Sequence, residues 1–217
     1  MQVILLFIDV SYQLHKVCPY TISDIESIES SVTSITIPDW TCNDSEFVKF
    51  DFSQFTQLQS LEIGDDCFGF VNLFRINGLN LLKRLKIGKN SFTLVKEPEI
   101  DGNSDEAEGK LNNSARSFHI TNCEQLESIR IAECSFCDFA GEFELGNLPA
   151  LKTLKIGTIG RWSFNFFWSS FVVRGMLSSV CSLPDLPKLE TIELGNMVFF
   201  VSFATVIEST KTRRAGQ

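Results

Sequence analysis

The sequence predicts a solenoid of β-rich or α/β class, in which short strands stack into a parallel sheet. Three observations carry that expectation. The segment Leu58-Gln59-Ser60-Leu61-Glu62-Ile63-Gly64 is closely copied 24 residues later as Leu82-Lys83-Arg84-Leu85-Lys86-Ile87-Gly88. Apolar residues precede such copies in steps of three. A phenylalanine follows the glycine position four residues on, at Phe68, Phe92, Phe136 and Phe199.

In chain order the first unit is a degenerate one, VTSITIP from Val32 to Pro38, followed by the two copies above. LESIRIA from Leu126, LKTLKIG from Leu151 and LETIELG from Leu189 complete the series. Within each unit an apolar-x-apolar alternation, as in Leu61-Glu62-Ile63, is the two-residue period of a short strand. The preceding pairs Phe52 and Phe55, Ile76 and Leu79, Ile120 and Cys123, and Leu145 and Leu148 are spaced for a helical or 3₁₀-like return segment. One strand and one return segment cannot cover their own apolar face, so units must stack on one another.

The repeat resembles the leucine-rich-repeat family, whose pattern L-x-x-L-x-L-x-x-N/C-x-L is met by Leu82, Leu85, Ile87, Asn90 and Phe92. It is met again by Leu126, Ile129, Ile131, Cys134 and Phe136. The Phe-rich, Gly-ended units look like the BspA-like repeats of microbial eukaryotes and bacterial surface proteins. The resemblance covers residues 20–209, flanked by an N-terminal segment or incomplete repeat over 1–19 and an expected disordered tail over 210–217. It implies a right-handed superhelix with the parallel sheet on its concave face and a protein-binding role along that face. Trp40, Asp66, Ile159 and Met197 stand where the family has Asn or Cys, so those turns are expected to be less regular.

Composition narrows the function. With 20 Phe against 2 Tyr and 44% hydrophobic residues, the chain has the means to build a core. Its net charge of −8 repels a phosphate backbone, which argues against nucleic acid as a partner. No apolar run reaches the roughly 18–20 residues needed to span a bilayer, which argues against membrane insertion. The run Val3 to Ile8 lacks a basic flank and is cut by Asp9, so it reads as a strand or repeat fragment rather than a signal peptide. Seven scattered cysteines suit reduced thiols in a cytoplasmic protein. A secreted or surface-exposed adhesion protein is the alternative that the BspA-like resemblance permits.

Two units are longer than the rest. The first excess, 96–114, carries Glu97, Glu99, Asp101, Asp105, Glu106 and Glu108 and reads as a mobile acidic loop. The second, 158–182, gathers Trp162, Phe164, Phe166, Phe167, Trp168 and Phe171. Alternate members are expected to fill the core, with Trp162 and Trp168 as surface contacts and a weak extra strand at Phe171-Val172-Val173.

Strand alternation maps a candidate binding face. If Leu61 and Ile63 point inward, the solvent-facing central column reads Thr36, Glu62, Lys86, Arg130, Lys155 and Glu193, with Arg84 in the column beside it. Strands about 4.8 Å apart would line Lys86, Arg130 and Lys155 in one row, and like charges directly opposed are unfavourable. An acidic segment of a partner, or the chain's own acidic loop, is the expected offset. The glycine column Gly64, Gly88, Gly157 and Gly195, interrupted by Ala132, allows either a close approach or a tight turn.

No catalytic, metal or cofactor motif is legible. His15 and His119 adjoin no nucleophile motif, and His119 reads as a structural or surface residue. Cys134-Ser135-Phe136-Cys137 is a lone C-x-x-C, for which a thiol-dependent enzyme is the remote alternative. The expected function is a protein-interaction or scaffold module without enzymatic chemistry.

Overall fold

A computed structural model of the 217-residue chain describes residues 15–16, 29–95, 112–174 and 186–199. The expected tail and the acidic stretch 96–111 lie outside the described residues, and of the segment 1–19 only His15–Lys16 is described. Twelve strands occur among the described residues, with no helix. From the second strand on they alternate between two parallel sheets. The first contains β1 (His15–Lys16), β2 (Ser34–Ile37), β4 (Ser60–Ile63), β6 (Arg84–Ile87), β8 (Ser128–Ile131), β10 (Thr153–Ile156) and β12 (Thr191–Leu194), in that order. The second contains β3 (Lys49–Asp51), β5 (Leu73–Asn77), β7 (Ser117–Thr121), β9 (Glu142–Gly146) and β11 (Ser170–Arg174), again in chain order.

The repeated cores form the first sheet in the expected register, Ser60 opposite Arg84 and Arg84 opposite Ser128. The expected helical or 3₁₀-like return segments are instead the strands of the second sheet. Their signal is a second two-residue period: Phe50-x-Phe52, Phe74-x-Ile76, Phe118-x-Ile120 and Phe143-x-Leu145, all buried. The three-residue step is real but belongs to the corners that follow. Leu58 N–H bonds the Phe55 carbonyl at 2.9 Å and Leu82 N–H the Leu79 carbonyl at 3.1 Å, single turns that swing the chain from one sheet to the other. The expected extra strand around Phe171 is β11, which joins β9.

One apolar core lies between the sheets, lined by Ile35, Leu61, Leu85, Ile129 and Leu154 on one side and Phe50, Phe74, Phe118 and Phe143 on the other. Parallel pairing sets each residue above its counterpart, so the rings stack. Phe74 lies on Phe118 at 4.7 Å between centroids and 4° between planes, and Phe118 on Phe143 at 4.8 Å and 2°. A second column, Phe68, Phe92, Phe136, Phe166 and Phe199, stacks similarly and meets the first edge-on, as with Phe74 and Phe92 at 87°. Offset and edge-on aromatic contacts each add about 0.5–1.5 kcal/mol beyond buried area.

The second column sits on corners of unusual backbone. Two residues per corner have positive φ: Trp40 and Cys42, Asp66 and Phe68, Asn90 and Phe92, Cys134 and Phe136, Phe164 and Phe166, and Met197 and Phe199. Trp40, Asp66 and Met197 therefore turn as regularly as Asn90 and Cys134, contrary to expectation. Ile159 does not occupy the equivalent position; Phe164 does, and Ile159 is exposed. Positive φ is strongly unfavourable for a β-branched side chain, and none of the twelve residues is branched at Cβ.

Between each pair lies a residue the repeat pattern did not single out. Thr41, Cys67, Ser91, Ser135 and Asn165 form a small polar series, with Val198 in the last corner; Thr41 Oγ1 donates to the Pro38 carbonyl of its own unit at 2.7 Å, and the other four reach back one unit. Cys67 Sγ donates to the Pro38 carbonyl at 3.1 Å, Ser91 Oγ to Gly64 at 2.8 Å, Ser135 Oγ to Gly88, and Asn165 Nδ2 to Ala132 at 2.7 Å. Strand-end carbonyls that would otherwise be buried without partners are thus satisfied.

The glycine column is explained by crowding rather than by backbone freedom, except at Gly157 with φ of 73°. A Cβ on Gly64 would stand 2.3 Å from Asp39 Oδ1, and one on Gly88 2.3 Å from Asp65 Oδ1. Both carboxylates are held there because they accept the next N–H in line, Asp65 N–H at 2.8 Å and Lys89 N–H at 2.7 Å. The series stops at Lys89, whose side chain carries no acceptor, and there Ala132 replaces glycine.

One buried charge pair fastens the chain where it re-enters after the acidic stretch. Arg116, 1% exposed, donates to Asp138 and to the Gly69 carbonyl, reaches Asn72 Oδ1 at 3.2 Å, and lies over the Phe139 ring at 5.1 Å. Removing one partner of such a pair leaves an uncompensated charge, so Arg116→Ala is expected to cost about 3–5 kcal/mol in urea unfolding. Gly88→Ala should cost about 1–3 kcal/mol by overpacking, whereas Ala132→Gly should change the unfolding midpoint far less.

Candidate functional site

The predicted row forms as its alternation requires. Glu62, Lys86, Arg130, Lys155 and Glu193 occupy successive strands in direct register on the outer face of the first sheet. Arg84 lies in the neighbouring column, between Ser60 and Ser128, and is exposed. Every inward neighbour of the row is apolar, so the strand pleat leaves these side chains no other side to take.

Part of the offset expected from an acidic partner segment or the acidic loop is supplied within the column itself. Lys86 pairs with Glu62, and Lys155 with Glu193 at 2.7 Å. The chain's own carboxylates therefore close both ends of the row. Arg130 stands between the two lysines and pairs with no carboxylate among the described residues. Three cations against two carboxylates leave the row one net positive charge, centred on Arg130. The ion pairs are partly solvated, so they orient side chains more than they stabilise the fold; such pairs contribute about 0–1 kcal/mol.

The aromatic interruption divides between surface and interior. Phe166 joins the core stack, and Phe164 is buried with Cys134 and Cys137 in a satellite cluster. Trp162 is 58% exposed and meets the Phe164 ring edge-on at 5.7 Å. Trp168, the other expected surface contact, is less exposed than Trp162. It is half-buried against the satellite cluster beside Phe167, with its indole Nε1 buried and lacking an acceptor among the described residues. The cluster supplies apolar surface that the two-sheet core alone does not offer, and this draws Trp168 inward. Trp40, absent from the predicted set, is 68% exposed at the first corner. The ladder position alone does not signal this exposure, because its equivalents Asp66, Cys134 and Phe164 are buried.

The C-x-x-C pair lies in the interior. Cys134 and Cys137 are both buried, and burial pushes the Cys137 thiol well above 9.0, with the neighbouring Cys134 adding to the rise. Burial also raises Cys67, and lifts Cys123 to about 11. Nucleophilic thiols need the opposite shift. On the outer face of the second sheet, His119 Nδ1 lies 2.9 Å from Glu144 Oε2, with Glu142 beside them. That trio is the one group of three or more potential metal donors that converges among the described residues.

No helix among the described residues is long and apolar enough to cross a membrane. No family model, curated protein or solved structure matches this chain.

The thiols set an alkaline limit on stability. Cys123 is raised in the folded state, so its contribution is intact below 9.0 and is lost as pH climbs towards about 11. Cys123 should lower unfolding free energy by about 1.4 kcal/mol per pH unit across that window, seen as a lower urea midpoint at about pH 10.5 than at about pH 8. At the lower pH a thiol reagent should label Cys67, Cys123 and Cys137 only after denaturant is added.

Proposed function

We propose that the chain is a leucine-rich-repeat solenoid of BspA-like type that serves as a protein-interaction or scaffold module. Its partner lies along the outer face of the seven-stranded sheet, the concave face of such an array. The repeat pattern supports the family reading, and the alternation of strands in register supports stacked units. The observation that carries the binding role is the row centred on Arg130. A planar guanidinium held between two lysines, each already tied to its own carboxylate, is preorganised to accept one more acidic group.

The partner chemistry that fits is an extended acidic segment, laid across the strands so that a carboxylate meets Arg130 and neighbouring groups meet Arg84. Trp162 adds an apolar contact at the margin. The reading requires no catalytic group and no cofactor, and it places the protein in the cytoplasm, where five buried free thiols are compatible with the reducing setting.

The test is a titration of an acidic peptide reproducing residues 96–108 of this chain, supplied in trans, followed by fluorescence anisotropy. Arg130→Glu should weaken binding by about tenfold or more, because a repulsive charge replaces the attractive one, and added salt should weaken wild-type binding. Unchanged affinity in a folded Arg130→Glu, Lys86→Glu, Lys155→Glu variant would overturn the reading.

A further inference from the structure

The second sheet carries on its outer face a group of donors that the acidic-segment reading does not use. His119 on β7 is in register with Glu144 on β9, and Glu142 lies two residues before Glu144 on the same face. All three are half-buried, and their donor atoms fall within 4.8 Å of one another. We propose that His119, Glu142 and Glu144 form a binding site for a divalent transition-metal ion of zinc type.

The donor set argues for that class of ion. Imidazole nitrogen with carboxylate oxygen suits zinc and its neighbours, whereas calcium and magnesium prefer all-oxygen shells. Donors about 2.0–2.1 Å from a tetrahedral ion stand about 3.3 Å apart. Nδ1 of His119 and Oε2 of Glu144 are already 2.9 Å apart, so they need to spread only slightly. The remaining carboxylate closes by side-chain rotation. Their strands cannot drift, because β5 pairs with β7 on one side and β11 with β9 on the other.

Charge points the same way. Two carboxylates beside an imidazole suit a divalent transition-metal cation in charge as well as in donor type. Arg75 of β5, the cation in register with His119, is exposed. The existing contact between Nδ1 and Oε2 is the metal-free use of the same atoms, with a proton in place of the ion. Three protein donors leave a fourth position to water, as in open zinc sites. Sequence could not show this site, because its donors come from two strands separated by a corner and carry no short motif.

Zinc chloride is the probe, titrated into the full chain by calorimetry and by following the two histidine ring resonances. One equivalent is expected to bind and to shift the His119 ring while leaving His15 in place. Second-shell partners alone are worth about 10- to 100-fold in metal affinity, so removing a direct donor in His119→Gln, Glu142→Gln or Glu144→Gln should cost at least about 100-fold. These side chains face outward, and far-UV circular dichroism should be unchanged. An unmoved His119 resonance at saturating zinc would overturn the proposal in the wild-type protein itself. Zinc bound equally by all three variants would also overturn it, and would assign the binding to thiols.

Discussion

Parallel pairing at a spacing of about 4.8 Å leaves a stacked chain little choice about its interior. Whatever side chain occupies a position is set directly over its counterpart in the next unit, so a position must repeat a shape that packs against itself. Phenylalanine does so at the centroid separations of 4.7–4.8 Å seen from Phe74 to Phe143, close to the strand spacing itself. The two Phe columns then meet edge-on, which lets one face of each ring contact its own column while its edge contacts the other. The core is thereby a consequence of register, and register is held at the corners.

Those corners carry the unfavourable terms of the fold. A non-glycine residue in the left-handed region costs about 1–2 kcal/mol, and each corner holds two. The offset is local and visible: the intervening Ser91, Ser135 or Asn165 side chain satisfies a carbonyl one unit back, and the phenylalanine is delivered into the stack. The close stacking of the corners also excludes a methyl group at Gly64 and Gly88, where the carboxylates of Asp39 and Asp65 stand. Strain, buried polarity and small residues are thus three aspects of one arrangement.

Much of this was legible in the sequence, and the limits have physical causes. Strand cores such as Leu61-Glu62-Ile63 announce themselves through alternation, and their register follows from the repeat, which is why the row from Glu62 to Glu193 falls where it was expected. The second sheet was missed because Phe52 and Phe55 suggest a helical step when Phe50 is left out of the pattern. Ile159 was misplaced because counting from Gly157 ignores φ; a β-branched residue cannot take that position, and the chain runs on to Phe164. The offset of the basic row was sought in a partner or loop, although Glu62 and Glu193 were already in the same column. Trp168 turned inward because its neighbours Cys134 and Cys137 come from another unit, a proximity that only the fold creates.

The Arg116–Asp138 pair bears on how this architecture lengthens. Strand β6 pairs with β8, and β5 with β7, without any shift, although each pairing spans the longest separation in the array. A buried clasp at the point of re-entry fixes where the chain resumes and is indifferent to how much chain came before. Such a joint makes the fold permissive of added sequence at that place, so that growth and variation there have an outlet that leaves the register of the stack intact.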